Sequence, residues 1–597
     1  MSALATPLRY GLLLGATSGA LEVGLRASPR QGLGSSELLR WWLCSVLLGA
    51  LFGLLLGLGF GKFRRAEGLI FGGLLAMQAG INYRFEWVLN NFLRDPRVWG
   101  GLLLIGALSV GISYILHPLL RRIPLFFMGI LGLFGLGLTL GRGGQPAARP
   151  AAHFPVLVVS LDTVRFDHLS PYGYPAALPN LQRIADEGAR FTQAIAAAPI
   201  TEPSHLAMFT GIAPYRSGVV SNGTELGDRP ALVWRDFAAA GWRTAGFVAG
   251  FPLHGKYGWD QGMQVWDDDF GAVAGLQSLS LVKVWNQVAV KEHALRERPY
   301  DRVLARALPF LQRHRDEDFF AFVHFYDAHG PYVSPYNGPL PTSDAPPLPL
   351  PAYWPPEHRR ISDEKWLIQA YDNEIRSLDD AIGQLLTALG PRLDDTLLVI
   401  TADHGESLTE HGYYFDHGDN LYDPSLRVPL LIRWPGKIAA GLRIDCQVGG
   451  VDLAPTLLEF AGLPDQHPRD GISRVPELRG EACRDRPALA STVSGRSWDP
   501  PPVDHALRSP GSKLIRSEEP LSQPERGIAP LGEVKVSYHY FDLLADPGER
   551  SERAEDPRAA DATMILDRSL EQGRAGIRLD MDAETKAALQ ALGYLNE

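Results

Sequence analysis

The sequence predicts an α/β fold in which a mainly parallel sheet is flanked by helices and preceded by a membrane-spanning helical region. Two apolar runs predict the sheet, because "FPVLVVSLD" and "DTLLVITAD" each have the composition of a buried strand that ends in an acid. The helical periodicity of "SDEKWLIQAYDNEIRSLDDAIGQLLTALG" predicts a helix that covers one face of the sheet. Apolar residues and glycine dominate the chain before Gln145, which predicts the membrane region.

The predicted membrane region contains five hydrophobic stretches, each close to the ~20 residues that a helix needs to cross a bilayer. They are Arg9–Leu25, Arg40–Phe60, Ala66–Ile81, Trp99–His117 and Pro124–Leu140. A soluble helical bundle is the alternative interpretation, but soluble helices carry a polar face that these stretches largely lack.

The loops between the stretches predict the orientation of the chain in the membrane. The short loops at 62–65 and 121–122 are basic and should be cytoplasmic, since short cytoplasmic loops carry an excess of Lys and Arg. With five spans, everything after Gln145 then lies outside the cytoplasm, and the protein is a multi-pass protein of the cell membrane. A disulfide between Cys446 and Cys483 is possible there, although their spacing alone does not establish it.

The net charge of −10 over 597 residues argues against nucleic acid as the main partner, because a duplex binder needs a basic face. The length is also too great for a single hydrophobic core.

Candidate metal ligands stand at the ends of the two apolar runs. Asp162 ends the first, and Asp403 ends the second and is followed by His404. In open α/β sheets, functional sites form at the carboxyl ends of the strands. An aspartate and a histidine offer one oxygen and one nitrogen ligand to a metal. Each of these residues alone would also be ordinary as a helix cap or a turn residue.

A candidate nucleophile stands in the stretch "ITEPSHLAMFTGIAPYRSG". Thr201 precedes a Pro-Ser-His run, and "LAMFTG" looks like the start of a helix, whose positive end the hydroxyl would face. The alternative is an ordinary N-cap formed by Thr201 or Ser204.

That stretch resembles the active-site signature of the sulfatase family of the alkaline phosphatase superfamily. The signature reads Cys or Ser, any residue, Pro, Ser, Arg, and this chain has Thr201, Glu202, Pro203, Ser204 and His205 at those positions. The blocks "PNLQRIADEGARF", "DAHGPY" and "LYDPSLRVPLLIRWPG" also resemble the family, so the resemblance covers about 155–557.

The resemblance implies a divalent metal held by Asp162, Thr201, Asp403 and His404, with calcium, magnesium, manganese and zinc all open. Sulfatases usually have a second aspartate where this chain has Thr163.

The resemblance also implies roles for the surrounding polar residues. His205 and His329 would join Thr201 as catalytic residues that hold substrate oxygens or move protons. Asn222 and His417 would bind substrate, although "SNG" is also an ordinary turn. His417 stands where many sulfatases have a lysine, so it would either replace that charge or bind a second metal. His324, inside an apolar run, is predicted to be a core residue.

A sulfatase-like fold implies a mainly parallel sheet with a small C-terminal antiparallel subdomain. We therefore predict four parts, listed here in chain order. They are a membrane region (1–141), a linker (142–154), a sulfatase-like catalytic domain (155–480) and a C-terminal subdomain with a tail (481–597).

The predicted function is the metal-dependent hydrolysis of sulfate or phosphate esters by a membrane-anchored enzyme with a threonine nucleophile. No formylglycine is expected, because the extra methyl on the threonine β-carbon prevents oxidation to that aldehyde. The expected partners are the ester substrate and the lipid bilayer. A phosphoethanolamine or other lipid head-group transferase, and a non-enzymatic membrane protein that keeps the fold, remain as alternatives.

Overall fold

The computed structural model describes most of the chain from Phe154 to Gly573. The described residues are 154–227, 230–270, 298–341, 345–493, 498–499, 502–520, 529–530 and 533–573. Within these ranges, none of the helices combines the length and the apolar character that a membrane crossing requires. The five hydrophobic stretches lie outside the described residues, so the predicted membrane region and its orientation stay predictions.

The centre of the described part is an eight-stranded sheet with the order β4-β3-β5-β1-β6-β7-β2-β8. Its strands are β1 (Val156–Leu161), β2 (Ala189–Ile195), β3 (Arg243–Phe247), β4 (Val265–Asp267), β5 (Phe319–Phe325), β6 (Leu397–Thr401), β7 (Arg427–Arg433) and β8 (Leu442–Gly449). Strand β7 runs antiparallel to both of its neighbours, and the remaining neighbours pair in parallel. The prediction of a mixed, mainly parallel sheet is therefore confirmed.

Most of the α-helices pack around this sheet or join its strands, and the last of them packs on two strands of the C-terminal region. They are α1 (Pro179–Glu187), α2 (Thr201–Thr210), α3 (Pro214–Ser217), α4 (Val233–Ala239), α5 (Tyr300–Arg313), α6 (Glu364–Leu389), α7 (Asp423–Leu426), α8 (Leu453–Ala461), α9 (Val475–Leu478) and α10 (Pro557–Gly573). Helix α6 corresponds to the longest helical pattern in the sequence. It begins after Asp363, whose side chain accepts the backbone N–H of Trp366 and so caps the first turn.

The three central strands explain where the functional residues gather. Every residue of β1, β5 and β6 is buried, as expected for strands covered on both faces. Strand β1 lies between the other two, and Ser160 pairs with His324 on one side and with Thr401 on the other. Since the three strands are parallel and in register, the residues that follow them meet at one edge of the sheet.

The C-terminal region contains a four-stranded antiparallel sheet with the order β14-β12-β11-β9, as the resemblance implied. Its strands are β9 (Ala488–Val493), β11 (Val503–Ser509), β12 (Ser512–Pro520) and β14 (Val534–Asp542). Two short strands from the same region, β10 (Trp498–Asp499) and β13 (Ala529–Pro530), form a separate parallel pair.

A buried ionic network attaches this small sheet to the segment that precedes β7. The ammonium group of Lys513 on β12 is fully buried and lies 2.5 Å from Asp423 and 2.7 Å from Glu549. Arg508 on β11 pairs with the same Asp423 carboxylate at 2.9 Å. Two cations and two carboxylates thus satisfy one another away from water, so loss of any one would leave an uncompensated buried charge.

Cys446 on β8 and Cys483, which precedes β9, form a disulfide with their Cα atoms 5.4 Å apart. The pairing that the spacing left open is therefore present in the fold.

Candidate metal and nucleophile site

Asp162 and Asp403 meet at the carboxyl-end edge of the central strands, as the sequence predicts. Both carboxylates and the imidazole of the adjacent His404 are fully buried. These three residues form a group whose potential ligand atoms all lie within 4.8 Å of one another. Nε2 of His404 is 3.4 Å from Oδ2 of Asp403 and 4.0 Å from Oδ1 of Asp162.

The hydrogen bonds around this group leave three lone pairs facing one another. Nδ1 of His404 lies 2.9 Å from the carbonyl oxygen of Gly405, which can only accept, so Nδ1 donates and Nε2 is the ring nitrogen that can offer a lone pair to a metal. That nitrogen, Oδ1 of Asp162 and Oδ2 of Asp403 are buried and have no hydrogen-bond partner within the described ranges. Buried polar atoms are rarely left unpaired. A divalent cation therefore fits this donor set, since it would satisfy all three atoms.

The electrostatics of the two carboxylates agree with that conclusion. Burial raises the pKa of Asp162 to about 6. Burial also raises the pKa of Asp403, and the neighbouring Asp162 carboxylate adds to the effect. Two adjacent carboxylates that resist ionisation without a counter-charge are what a cation-binding pair requires.

Thr201 lies beside this group at the start of helix α2. The helix begins at Thr201 itself and not near Leu206, and Pro203 occupies its first turn, where a missing N–H costs little. The N-cap position belongs to Ile200, so the alternative of a capping role for Thr201 or Ser204 is wrong. The buried hydroxyl of Thr201 donates to Oδ2 of Asp162 at 3.4 Å.

Asn222 lies against the first turn of α2. Its Oδ1 accepts the backbone N–H of Glu202 at 2.8 Å, and the Glu202 carboxylate in turn accepts the N–H groups of Gly223 and Thr224. This reciprocal clasp occupies a first-turn N–H that has no acceptor within the helix. The amide nitrogen of Asn222 is buried without a partner among the described residues, so it is the part of this predicted substrate-binding side chain that remains to bind another group.

His205 lies one helical turn below Thr201 and is fully buried. Its Nδ1 donates to the Thr201 carbonyl oxygen at 2.8 Å, and its Nε2 accepts from the hydroxyl of Ser160 at 3.0 Å. Burial lowers its pKa to about 3, which keeps the ring neutral. The prediction that His205 handles substrate oxygens or protons therefore needs correction, because both ring nitrogens are bonded to protein groups, the Thr201 carbonyl oxygen and the Ser160 hydroxyl.

His324 is buried in β5, as predicted, but it also contacts the metal-ligand group. Its Nε2 lies 3.1 Å from Oδ2 of Asp162. Burial lowers its pKa to about 4. The apolar run around this histidine predicts a packing role alone, and the contact with Asp162 adds to it. The run "FFAFVHF" does not reveal which of its residues lies beside Asp162, because that depends on how β5 pairs with β1.

His329 and His417 border the group on the side of His404. The ring of His417 lies 4.5 Å from that of His404, and the ring of His329 lies 4.8 Å from that of His417. Nδ1 of His329 donates to the Gly330 carbonyl oxygen at 2.8 Å, and Nδ1 of His417 lies 3.2 Å from Oε1 of the fully buried Glu406. The structure thus brings both predicted histidines to the site, and it adds Glu406, which the sequence analysis missed.

Thr163, which stands where sulfatases usually have a second aspartate, has a backbone role here. Its φ of 59° lies in the left-handed region, which is unfavourable for a β-branched residue. In that conformation its N–H donates to Oδ1 of Asp403 at 3.3 Å, and its carbonyl oxygen accepts from the Tyr371 hydroxyl at 2.8 Å. The turn after β1 therefore orients the second carboxylate of the site.

A family model described as Sulfatase matches residues 155–463, more than half of the chain. Choline-sulfatase of Rhizobium meliloti is 27% identical over 436 residues, which cover 64% of this chain and 78% of that protein. Delta 4,5-hexuronate-2-O-sulfatase of Bacteroides thetaiotaomicron is 24% identical over 510 residues, 77% of this chain and 97% of that protein.

Among solved structures, phosphonate monoester hydrolase of Agrobacterium radiobacter superposes with a TM-score of 0.51 at 20% identity. The superposition covers 70% of this chain and 95% of that one. At this identity the likeness concerns the fold, which the two chains share.

Proposed function

The chain belongs to the sulfatase family, and from that premise we propose that it is a membrane-anchored, metal-dependent hydrolase of sulfate or phosphate esters whose nucleophile is unmodified Thr201. The single observation that supports this proposal best is the position of the threonine hydroxyl. It contacts Asp162, which belongs to a group with Asp403 and His404. The potential ligand atoms of those three residues lie close together, and one atom of each has no hydrogen-bond partner in the described part of the chain.

The group fits a divalent cation held by Asp162, Asp403, His404 and Thr201. Such a cation would supply Lewis-acid polarisation of the substrate and neutralise negative charge on its oxygens. The first turn of α2 offers few N–H groups of its own to stabilise negative charge, because the Glu202 N–H is bonded to Asn222 and Pro203 has no N–H.

Thr201 then acts as a covalent nucleophile. Its hydroxyl gives up its proton, and Oγ forms a bond to sulfur or phosphorus while the bond from that atom to the departing oxygen breaks. The departing alkoxide takes up a proton and leaves as the alcohol, so the step gains and loses no proton overall. His329 and His417, beside the group, are placed to contact the substrate oxygens and to handle that proton. Water next cleaves the threonine ester, which releases sulfate or phosphate and restores the hydroxyl.

Head-group transfer to a lipid acceptor is a second candidate, favoured by the predicted spans and by the threonine nucleophile. The two functions share the first step and differ in whether water or an alcohol cleaves the threonine ester. A non-enzymatic role is disfavoured, because a purely structural protein has no use for two buried carboxylates that face a histidine lone pair.

Full-length protein purified in detergent should hydrolyse at least one of four substrate classes: aryl sulfates, phosphate monoesters, phosphate diesters and phosphonate esters. Turnover should depend on added Mg²⁺, Ca²⁺, Mn²⁺ or Zn²⁺, tested singly after chelation, and should fall to background in the chelator alone. Activity that survives chelation would contradict the metal-dependent mechanism. Product that accumulates only with a lipid acceptor would assign the protein to head-group transfer.

We also propose that the catalytic domain lies outside the cytoplasm. The basic loops at 62–65 and 121–122 support this topology, and the Cys446–Cys483 disulfide fits an oxidising compartment. A reporter that is active only in the cytoplasm should be silent when fused after Arg149, while one that is active only outside should give a signal. A signal from the cytoplasmic reporter and silence from the other would instead place the catalytic domain in the cytoplasm.

A further inference from the structure

The orientation of the Asp162 carboxylate depends on which of its oxygens accepts hydrogen bonds. Oδ2 accepts from Thr201 at 3.4 Å and lies 3.1 Å from Nε2 of His324. Oδ1 has no hydrogen-bond partner among the residues that the structure describes, and it faces His404. The two oxygens of this single carboxylate therefore have different functions.

The tautomer of His324 follows from its other neighbour. The backbone N–H of Gly250 points at Nδ1 over 3.4 Å, and a backbone N–H can only donate, so Nδ1 is the acceptor. The ring proton therefore resides on Nε2, which donates to Oδ2 of Asp162. This arrangement is the reverse of that in His404, where Nδ1 donates and Nε2 keeps its lone pair.

The surroundings of His324 hold its ring in this position. It packs edge-on against His205 with ring centroids 4.9 Å apart, and it also contacts the ring of Tyr326. Gly250 permits the close approach, since a β-carbon there would lie 2.8 Å from the Tyr326 ring and 3.0 Å from His324. These neighbours therefore fix the position of the His324 ring beside Asp162.

We infer that His324 is a positioning residue of the metal centre, which by donating to Oδ2 of Asp162 fixes Oδ1 as the metal-binding oxygen. Hydrogen bonds from outer residues commonly orient metal-binding carboxylates in this way. The inference rests on the proposed function, because it requires a metal at Asp162. In the competing arrangement, Nε2 of His324 binds the metal directly. The potential ligand atoms of His324, His205 and Asp403 also lie within 4.8 Å of one another, so this arrangement needs a test.

Two substitutions separate these arrangements in the full-length protein. His324→Leu removes the donor, and we expect the affinity for Zn²⁺ or Mn²⁺, measured by chelator competition, to fall by about 10- to 100-fold. His324→Gln should recover most of that loss, because the glutamine amide nitrogen falls close to the position of the imidazole Nε2 and can donate to the same oxygen. X-ray absorption of the Zn²⁺ form should count the same number of imidazole ligands in His324→Gln as in the wild type.

The matched control is Val323→Ala, which removes buried volume from the neighbouring position of β5 on the opposite face of the sheet. This variant should lower the thermal midpoint and keep the wild-type metal affinity. Unchanged affinity in His324→Leu, or equal losses in the Leu and Gln variants, would overturn the inference. One fewer imidazole ligand in His324→Gln would instead make His324 a ligand. A wild-type protein that binds no metal would overturn the proposed function, and this inference with it.

Discussion

Thr201→Ala should lower kcat by about 10³-fold or more, since it deletes the proposed nucleophile and little else. The fold should tolerate the change, because alanine is a better helix former than threonine and the capping position belongs to Ile200. Among the described residues the hydroxyl makes one hydrogen bond, a long one of 3.4 Å to Asp162, and Asp162, Asp403 and His404 remain to hold the metal. Activity, metal content and the thermal midpoint should be measured on the same full-length preparation.

Thr210→Ala is the matched control, because it makes the same substitution at the other end of the same helix. The Thr210 hydroxyl donates to the Leu206 carbonyl oxygen at 2.5 Å and accepts the N–H of Ile212, so its loss should reduce stability and spare kcat. Thr201→Ser should keep part of the activity. Mass spectrometry of the wild-type peptide should show an unmodified threonine before substrate is added.

Wild-type turnover in Thr201→Ala would assign the nucleophile to another oxygen. Ser204 is the nearest protein candidate in the sequence, but its hydroxyl donates to the Asp403 carbonyl oxygen at 2.6 Å and so serves the structure. Persistent turnover would therefore favour an attacking water, and the resemblance at Thr201 would have misled the functional interpretation.

The positions of Asp162 and Asp403 could be predicted because parallel strands deliver their carboxyl ends to one edge. Each strand is a continuous apolar run, so its end and its acid were visible without knowledge of the partner strand. The contribution of His324 could not be predicted in the same way. It depends on the strand register that pairs His324 with Ser160. A strand that is buried on both faces has no alternation of polar and apolar residues from which that register could be read.

The contact of His205 with Thr201 could have been predicted from the spacing of the two residues. Pro203 is typical of a first helical turn, so the helix could have been started at Thr201. His205 then falls four residues later on the same face, under Thr201 and toward the core. The clasp between Glu202 and Asn222 was not predictable, because a loop conformation between residues 210 and 222 decides it.

Asp403→Asn should weaken metal binding by about 100-fold or more while the protein stays folded; even the loss of an outer partner of a metal ligand typically costs 10–100-fold. Oδ1 of Asp403 accepts the N–H groups of Thr163 and His404, so the asparagine oxygen should keep that place. The amide nitrogen then replaces Oδ2, 3.4 Å from Nε2 of His404, and can donate to its lone pair. A hydrogen bond thus takes the place of the cation, and one buried negative charge is removed.

A titration of thermal stability with metal measures this effect without reference to activity. A cation that binds only the folded state stabilises it by about 2.7 kcal/mol at 100 times its Kd, so the wild-type midpoint should rise with metal and that of Asp403→Asn should not. Asp379→Asn on α6 is the matched control: its buried carboxylate accepts the N–H groups of Leu181 and Asn180, so the metal-free midpoint should fall and the response to metal should remain. A metal response in Asp403→Asn equal to that of the wild type would remove Asp403 from the metal centre. It would also require that the buried lone pairs of Asp162 and His404 be satisfied in some other way.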